Sequence, residues 1–204
     1  MTCIAICGDS ASGKSRLANW LALVSYGPNV VILECDRYHK WERNDPHWQN
    51  YTQLNPEAND LALLEQDIRS LKSGETIYRR QYDHETGTFT VPQRILPEKN
   101  LVVCGLHTLM CDPSLFDLTI FLDTDYDLKL DWKIARDTSD RGYTLDQVMQ
   151  QIQKRYGEYE KYIEPLRAQA DVVIKRSATS REVIVQNARI GVSYILDELR
   201  TRKT

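Results

Sequence analysis

No run in this chain approaches the ~20 consecutive apolar residues that span a bilayer, so a helical membrane protein is set aside. There is no excess of basic charge either. Lys and Arg number 26 against 29 Asp and Glu, a formal net charge of −3, and no global field favours nucleic acid. Local basic clusters then serve small anions or lie on solvated surface. The chain lacks internal repeats, low-complexity tracts and linkers, so residues 1–204 are read as one domain. A strand-like run starts at residue 2 and leaves no space for a targeting peptide, so cytoplasmic residence is expected. None of the five cysteines (Cys3, Cys7, Cys35, Cys104 and Cys111) forms a C-x-x-C pair. The first four lie in or beside apolar runs, as reduced thiols packed in a core would; a redox pair between strand ends is the alternative.

What the chain does have is Gly8-Asp9-Ser10-Ala11-Ser12-Gly13-Lys14-Ser15, the spacing G-x-x-x-x-G-K-[ST]. An apolar run, residues 2–7, precedes it and an amphipathic run follows. Gly8 and Gly13 permit backbone conformations in which successive N–H groups turn inward around phosphate oxygens. Lys14 supplies a mobile charge for the β- and γ-phosphates, and the Ser15 hydroxyl suits Mg²⁺. The following helix adds its positive end. The bland alternative is a glycine turn that matches by chance.

Further along, residues 30–33, 101–105, 118–123 and 171–174 are short apolar runs like the first. They alternate with helical patterns over 13–25, 55–72, 127–138 and 144–163. Thr144-Leu145-Asp146-Gln147 reads as a capping box. A second, Thr179-Ser180-Arg181-Glu182, predicts a last helix with Ile184, Ala188, Val192, Ile195 and Leu199 inward. Residues 77–84 and 88–91 read as a hairpin around Gly87, and 40–55 as an irregular loop. The fold class is therefore α/β: a doubly wound, mostly parallel five-stranded sheet with a small hairpin insertion. The insertion over about 38–95 is taken as substrate-side and the segment about 136–143 as a lid.

A phosphate loop alone does not distinguish a kinase from other nucleotide triphosphatases. The discriminating residues stand at the other strand ends. Asp36, His39 and Arg43 form D-x-x-H-x-x-x-R after the second strand, a polar cluster where open α/β sheets bind ligands. Asp36 suits receipt of a hydroxyl proton, and His39 and Arg43 suit an anionic acceptor; a solvated polar loop is the alternative. Glu34 either shares the metal or faces solvent. Arg136 and Arg141 bracket a helix end and can close over ATP; a charged helix terminus paired i,i+4 explains them equally. Lys133, one turn earlier, is expected at the surface. Arg79, Arg80 and His84 either reach a substrate phosphate or edge a solvated hairpin.

Several motifs together resemble the phosphoribulokinase/uridine kinase family. They are the phosphate loop, Asp36-Arg-Tyr-His-Lys-Trp-Glu-Arg43, Leu54-Asn-Pro-Glu-Ala-Asn59, Tyr82-Asp-His-Glu-Thr-Gly87, Gly105-Leu-His107 and Trp132 through Gly142. The likeness runs from residue 2 to about 176, and three of the motifs look more like the phosphoribulokinase branch. The resemblance implies a P-loop kinase fold using MgATP, with residues 8–15 cradling the nucleotide and Ser15 and Asp36 facing the metal. It implies Asp36, Lys14, Arg136 and Arg141 as the catalytic set, and His39, Arg43 and His84 as holders of a sugar phosphate. Three positions depart from it. The pattern V-I-E-G-L-H reads Val102-Val103-Cys104-Gly105-Leu106-His107 here, without the carboxylate that helps hold Mg²⁺. Ser12 stands where thiol-regulated plant-type members have a cysteine. The chain is also shorter than typical phosphoribulokinases.

The expected activity is transfer of the γ-phosphate of ATP to a hydroxyl of a small metabolite, a sugar phosphate first. Uridine or cytidine is the alternative acceptor. A MgATP-binding regulator with little turnover is the alternative of another class, motivated by Cys104. A small-molecule acceptor is the expected partner, with neither nucleic acid nor membrane. The aromatic-rich residues 38–51 suit a substrate or a second copy of the chain equally.

Overall fold

The computed structural model describes residues 1–23 and 27–186. Strand β1 (Thr2–Gly8) is buried along almost its whole length, and its start is pinned where Cys3 N–H donates to Asp117 Oδ2 at 2.8 Å. The chain then turns through the glycine-rich loop into α1 (Lys14–Leu21), which buries Leu17, Ala18 and Leu21. Strand β2 (Val30–Glu34) follows, and α2 (Leu61–Lys72) after it buries Leu64, Ile68 and Leu71. Their 4-3 spacing gives one apolar stripe, and Asp60 caps the helix by accepting from Leu63 N–H.

Four short strands come next: β3 (Ile77–Arg79), β4 (Tyr82–Asp83), β5 (Thr88–Phe89) and β6 (Gln93–Ile95). The core resumes with β7 (Asn100–Gly105), β8 (Leu118–Thr124), α3 (Tyr126–Ser139) and α4 (Leu145–Glu158). Strand β9 (Val172–Arg176) and strand β10 (Arg181–Val185) end the described fold. The main sheet runs β10-β9-β8-β1-β7-β2, parallel except for β10 against β9. One face packs on α2 and on residues around Ile163 and Leu166; the other packs on Leu17 and Leu21 of α1.

The parallel α/β architecture and the Thr144–Gln147 capping box are present. Four expectations change. The sheet has six strands, because residues 181–185 form an antiparallel edge strand and not the first turn of a helix. Ser180 belongs to a tight turn closed by Ser177 Oγ, and the three consecutive β-branched residues Val183-Ile184-Val185 favour a pleated surface. Ala188, Val192, Ile195 and Leu199 lie outside the described residues.

The expected hairpin is two ribbons: β4 with β5, closing through Gly87 at φ 76°, and β3 with β6 further out. The helix expected from Asn55 begins at Leu61. Residues 55–60 are drawn off to hold the segment after β2: Asn59 bridges to His39, Lys40 N–H donates to the Ala58 carbonyl and Asp60 N–H to that of Tyr38. Lys133 is buried against Asp137 and does not lie at the surface.

Arg79 is absorbed by structure as well. It pairs with Asp67, a carboxylate only 1% exposed that also accepts from the Tyr38 hydroxyl at 2.7 Å. Arg79→Met strands that buried charge, and a loss of about 2–4 kcal/mol is expected in denaturant unfolding. A change under about 0.5 kcal/mol, the surface-substitution range, contradicts this account.

Candidate active site

In the parallel part of the sheet, β7 lies between β1 and β2, so the chain leaves β1, skips a place and returns. Such sheets bind ligands beyond the carboxyl ends of the strands that flank the skip. There the structure opens a cavity of about 540 Å³, lined on one side by Ser10, Ala11, Lys14 and Ser15 and on the other by Asp36, His39 and His84. Arg136 and Arg141 complete one wall, Arg43 another.

The phosphate loop takes its shape from positive φ at Gly8 (149°), Ala11 (62°) and Gly13 (93°). At Gly8 the space is closed as well: a Cβ would stand 2.8 Å from the Leu122 carbonyl oxygen. Gly13 starts α1 with no side-chain cap, so the first N–H groups of the helix are left to the loop. Lys14 Nζ donates to the Asp9 carbonyl at 2.6 Å. Burial pulls the Lys14 pKa down, and Asp9 and Asp36 oppose that shift. Asp9 itself points toward the helices, with Lys129 Nζ at 3.2 Å and Arg155 Nη2 at 3.5 Å. Ser12 and Gly13 face a small separate cleft beside Arg16 and Arg176.

Asp36 lies just past β2 in a short 3-10 turn, Cys35–Tyr38. Its Oδ2 accepts from His84 Nε2 at 2.8 Å, and its Oδ1 is 3.5 Å from His39 Nε2. Burial works to raise this carboxyl, but the His84 hydrogen bond and the charges of His39, His84 and Lys14 outweigh it. The pKa is held well below the usual carboxylate range, so Asp36 is an anion at neutral pH. His39 is fixed from its other side by Asn59 Oδ1, 2.8 Å from Nδ1. Arg43 gives Nη1 to the Glu85 carbonyl at 3.1 Å and Nη2 to that of His84, and lies over the Tyr143 ring at 5.1 Å.

The opposite wall hangs on Asp137, buried to 1% exposure at the end of α3. It takes Lys133 Nζ, Arg136 Nε at 2.8 Å and Arg141 Nη1 at 3.5 Å. Arg136 also reaches across to Ser10 Oγ at 3.2 Å, tying α3 to the phosphate loop. Burial lowers the Lys133 pKa to about 8, with help from neighbouring Arg155.

Of the site residues named from sequence, Ser10, Ala11, Lys14, Ser15, Asp36, His39, Arg43, His84, Arg136 and Arg141 line this one cavity, and Gly8, Asp9, Ser12 and Gly13 do not. Arg155 was missed. It is 6% exposed, lines the cavity from α4, and its Nε and Nη2 have no hydrogen-bond partner. Its signal was register: Arg155 lies seven residues after Val148, and those two are the buried positions of α4. A cation at a core position calls for an anion. Trp48 and Tyr51, from the aromatic-rich residues 38–51, line the cavity together with Tyr82, which the sequence reading did not place there. His107 lines no part of the cavity. It is 1% exposed, donates from Nε2 to the Leu54 carbonyl at 2.8 Å, and is drawn down to about pH 4 by burial, so it is a neutral brace.

The donors suit Mg²⁺. Among the described residues no three His, Cys, Asp or Glu side chains form a metal cage. A Mg²⁺ bound with nucleotide needs none, since phosphates and water fill most of its octahedron beside one or two carboxylates. The Ser15 hydroxyl and the Asp36 carboxylate face the same cavity as hard oxygen donors. The Cys104 thiol beside them is soft and unsuited.

The architecture is that of the phosphate-loop kinases. The phosphoribulokinase from Rhodobacter spheroides superposes with a TM-score of 0.73 at 23% identity, covering 96% of this chain and 84% of that one. Beyond the fold, the family model described as "Phosphoribulokinase / Uridine kinase family" matches residues 3–182, and the chain belongs to that family. It is 36% identical over 175 residues to the phosphoribulokinase of Synechocystis, covering 84% of this chain and 52% of that protein. It is 32% identical over 205 residues to the uridine kinase of Proteus mirabilis, covering 93% and 94%. The chain spans about half the length of the phosphoribulokinases it matches.

All five cysteines are buried and free. Burial lifts the thiols of Cys3, Cys104 and Cys111 from 9.0 to about 12 and raises Cys7 and Cys35 as well. The shift to about 12 cuts the reactive thiolate about a thousandfold at pH 8. Titration with a thiol reagent is expected to label fewer than one cysteine quickly in the folded protein and all five in guanidinium; rapid labelling of two native thiols contradicts it.

Proposed function

We propose that this protein is an ATP-dependent phosphotransferase that moves the γ-phosphate to a hydroxyl of a small metabolite, with a sugar phosphate as acceptor. The observation that carries this reading is Asp36. It is an ionised carboxylate braced by two histidines, and it faces Lys14 and the Arg136–Arg141 wall across one cavity.

The nucleotide phosphates lie in the loop of residues 8–15, their charge met by Lys14 and by the backbone N–H groups at the start of α1. Bound with the nucleotide, Mg²⁺ neutralises phosphate charge, and Ser15 and Asp36 are oxygens that would hold it. The acceptor hydroxyl sits against Asp36. As its oxygen bonds to the γ-phosphorus, the proton passes to the carboxylate and the bond to the departing ADP breaks. Arg136, Arg141 and Arg155 meet the charge that develops on the transferring group. His39, Arg43 and His84 set the acceptor end.

A nucleoside acceptor is the second reading. Trp48, Tyr51 and Tyr82 offer faces on which a planar base can stack. ADP release measured over sugars, sugar phosphates and nucleosides separates the two. Turnover with a pentose phosphate upholds the first reading, and turnover with uridine or cytidine alone replaces it.

Two substitutions test the roles. Asp36→Asn is expected to lower kcat by about 10²–10⁴-fold while leaving the dissociation constant of metal-free ATP, measured in EDTA, nearly unchanged. Near-wild-type turnover in this variant defeats the assignment. Arg155→Gln is expected to weaken ATP binding about tenfold or more, because a hydrogen-bonded charge is worth ~1.5–3 kcal/mol. Equal affinity in equilibrium dialysis would make Arg155 a structural cation only.

A further inference from the structure

We infer that Glu34 supplies the second metal-facing carboxylate of this site, from β2, at the level where β7 presents the Cys104 thiol. The inference rests on the kinase reading above and concerns which of this chain's own oxygens meet the nucleotide-bound divalent cation.

The argument is one of register. In the parallel pairing of β2 with β7, Glu34 stands opposite Cys104, and in that of β1 with β7, Ile6 stands opposite Cys104. Paired residues on neighbouring strands project to the same face. Ile6 and Cys104 pack with Leu17 and Leu21 of α1, so Glu34 lies on the α1 side of the sheet, the side that carries Ser15. Strands lie about 4.8 Å apart, a gap that a glutamate side chain bridges.

The electrostatics report the same closeness. After burial, the charge of Glu34 contributes most to raising the Cys104 thiol, and Lys14 opposes it. Both Glu34 and Cys104 line the cavity that holds Lys14, Ser15 and Asp36.

Glu34 also has nothing else to do. Among the described residues it makes no hydrogen bond or ion pair, while Asp36 is engaged by His84 and Asp137 by three cations. The same cavity contains the buried guanidinium of Arg155, whose Nε and Nη2 make no hydrogen bond and whose ion pair, Asp9, is shared with Lys129. A carboxylate without a partner and a guanidinium without a hydrogen bond at Nε in one cavity suit a ligand that carries both signs, a polyphosphate with its divalent cation. The thiol cannot take the carboxylate's place, because a hard cation prefers oxygen to sulfur.

The test uses Mn²⁺ as a spectroscopically visible substitute and ADP as the nucleotide. ADP affinity is measured in EDTA, and Mn²⁺ affinity of the ADP complex by electron paramagnetic resonance. Glu34→Gln is expected to weaken Mn²⁺ about tenfold or more while leaving metal-free ADP unchanged or slightly tighter, since a negative charge has left the phosphate site. The exchange Glu34→Cys with Cys104→Glu moves the carboxylate back to β7 and is expected to recover most of the Mn²⁺ affinity. Unchanged Mn²⁺ affinity in Glu34→Gln overturns the inference and leaves the kinase reading intact. So does a loss that falls equally on metal-free ADP, the mark of a structural role. Wild-type protein that binds no ADP in either condition overturns both.

Discussion

The site is built around a concentration of positive charge that the fold must hold together. Lys14, Arg136, Arg141 and Arg155 line one cavity, with Lys133 behind them. Burial lowers the pKa of Lys133, Arg141 and Arg155, and their mutual repulsion adds to it: Arg155 helps to depress Lys133, and Arg136 helps to depress Arg141 and Arg155. Three carboxylates keep them in place. Asp137 collects Lys133, Arg136 and Arg141 at the base of the wall; Asp9 receives Lys129 and Arg155; Asp36 faces Lys14. Each carboxylate is shared, so the cations retain capacity for a further anion. A polyphosphate entering the cavity meets a field already assembled, which is the condition under which fixed charges act most strongly on a reacting group.

The backbone carries a matching constraint. Ala11 holds φ at 62° without the freedom of glycine, a conformation that costs ~1–2 kcal/mol. It is sustained because β1 is pinned on both sides in the sheet and α1 is packed on the face beneath. The loop between them is stretched over a rigid strand and a rigid helix. Within it the Ser10 N–H donates to Asp9 Oδ1 at 2.6 Å and the Ser12 N–H to the Asp9 carbonyl at 3.2 Å, so Asp9 braces the loop from inside.

Legibility from sequence followed the range of the interactions. The phosphate loop was readable because its chemistry is local: eight consecutive residues contain the glycines, the lysine and the hydroxyl. Asp36, Arg136 and Arg141 were readable from short spacings at predicted strand and helix ends, and the structure brings them to one cavity. What failed was long-range. Arg79 was open between a substrate phosphate and a solvated hairpin edge, but it neutralises Asp67, a partner on another element. Lys133 looked solvated because a lysine one helical turn before Arg136 usually is, yet Asp137 draws it inward. The helix start at 179 matched a local capping pattern, but the neighbouring edge of β9 offered Val183 to Val185 a ladder. Arg155 was legible only to a reading that treated a charge on a buried helical face as a request for a ligand.

The two halves of the cavity differ in what makes them rigid. The phosphate-loop half stands on a buried strand and a helix. The half that carries His84 hangs from β4 and β5, two residues each, too short to be stable alone. Arg43 holds that hairpin in place: its N–H donates to the Gly87 carbonyl at 2.8 Å and its guanidinium to the carbonyls of His84 and Glu85. Gly87 is required there, because a Cβ would collide with the Arg43 side chain. The position of His84 against Asp36 is therefore set by an arginine and a glycine in loops, not by the sheet. Helix α4 joins the halves within one turn. Lys154 donates to the Trp48 and Gln49 carbonyls, Arg155 approaches Asp9, and Glu158 accepts from the Thr52 hydroxyl. One helical turn thus touches both the phosphate loop, through Asp9, and the segment of Trp48, Gln49 and Thr52 on the other side of the cavity.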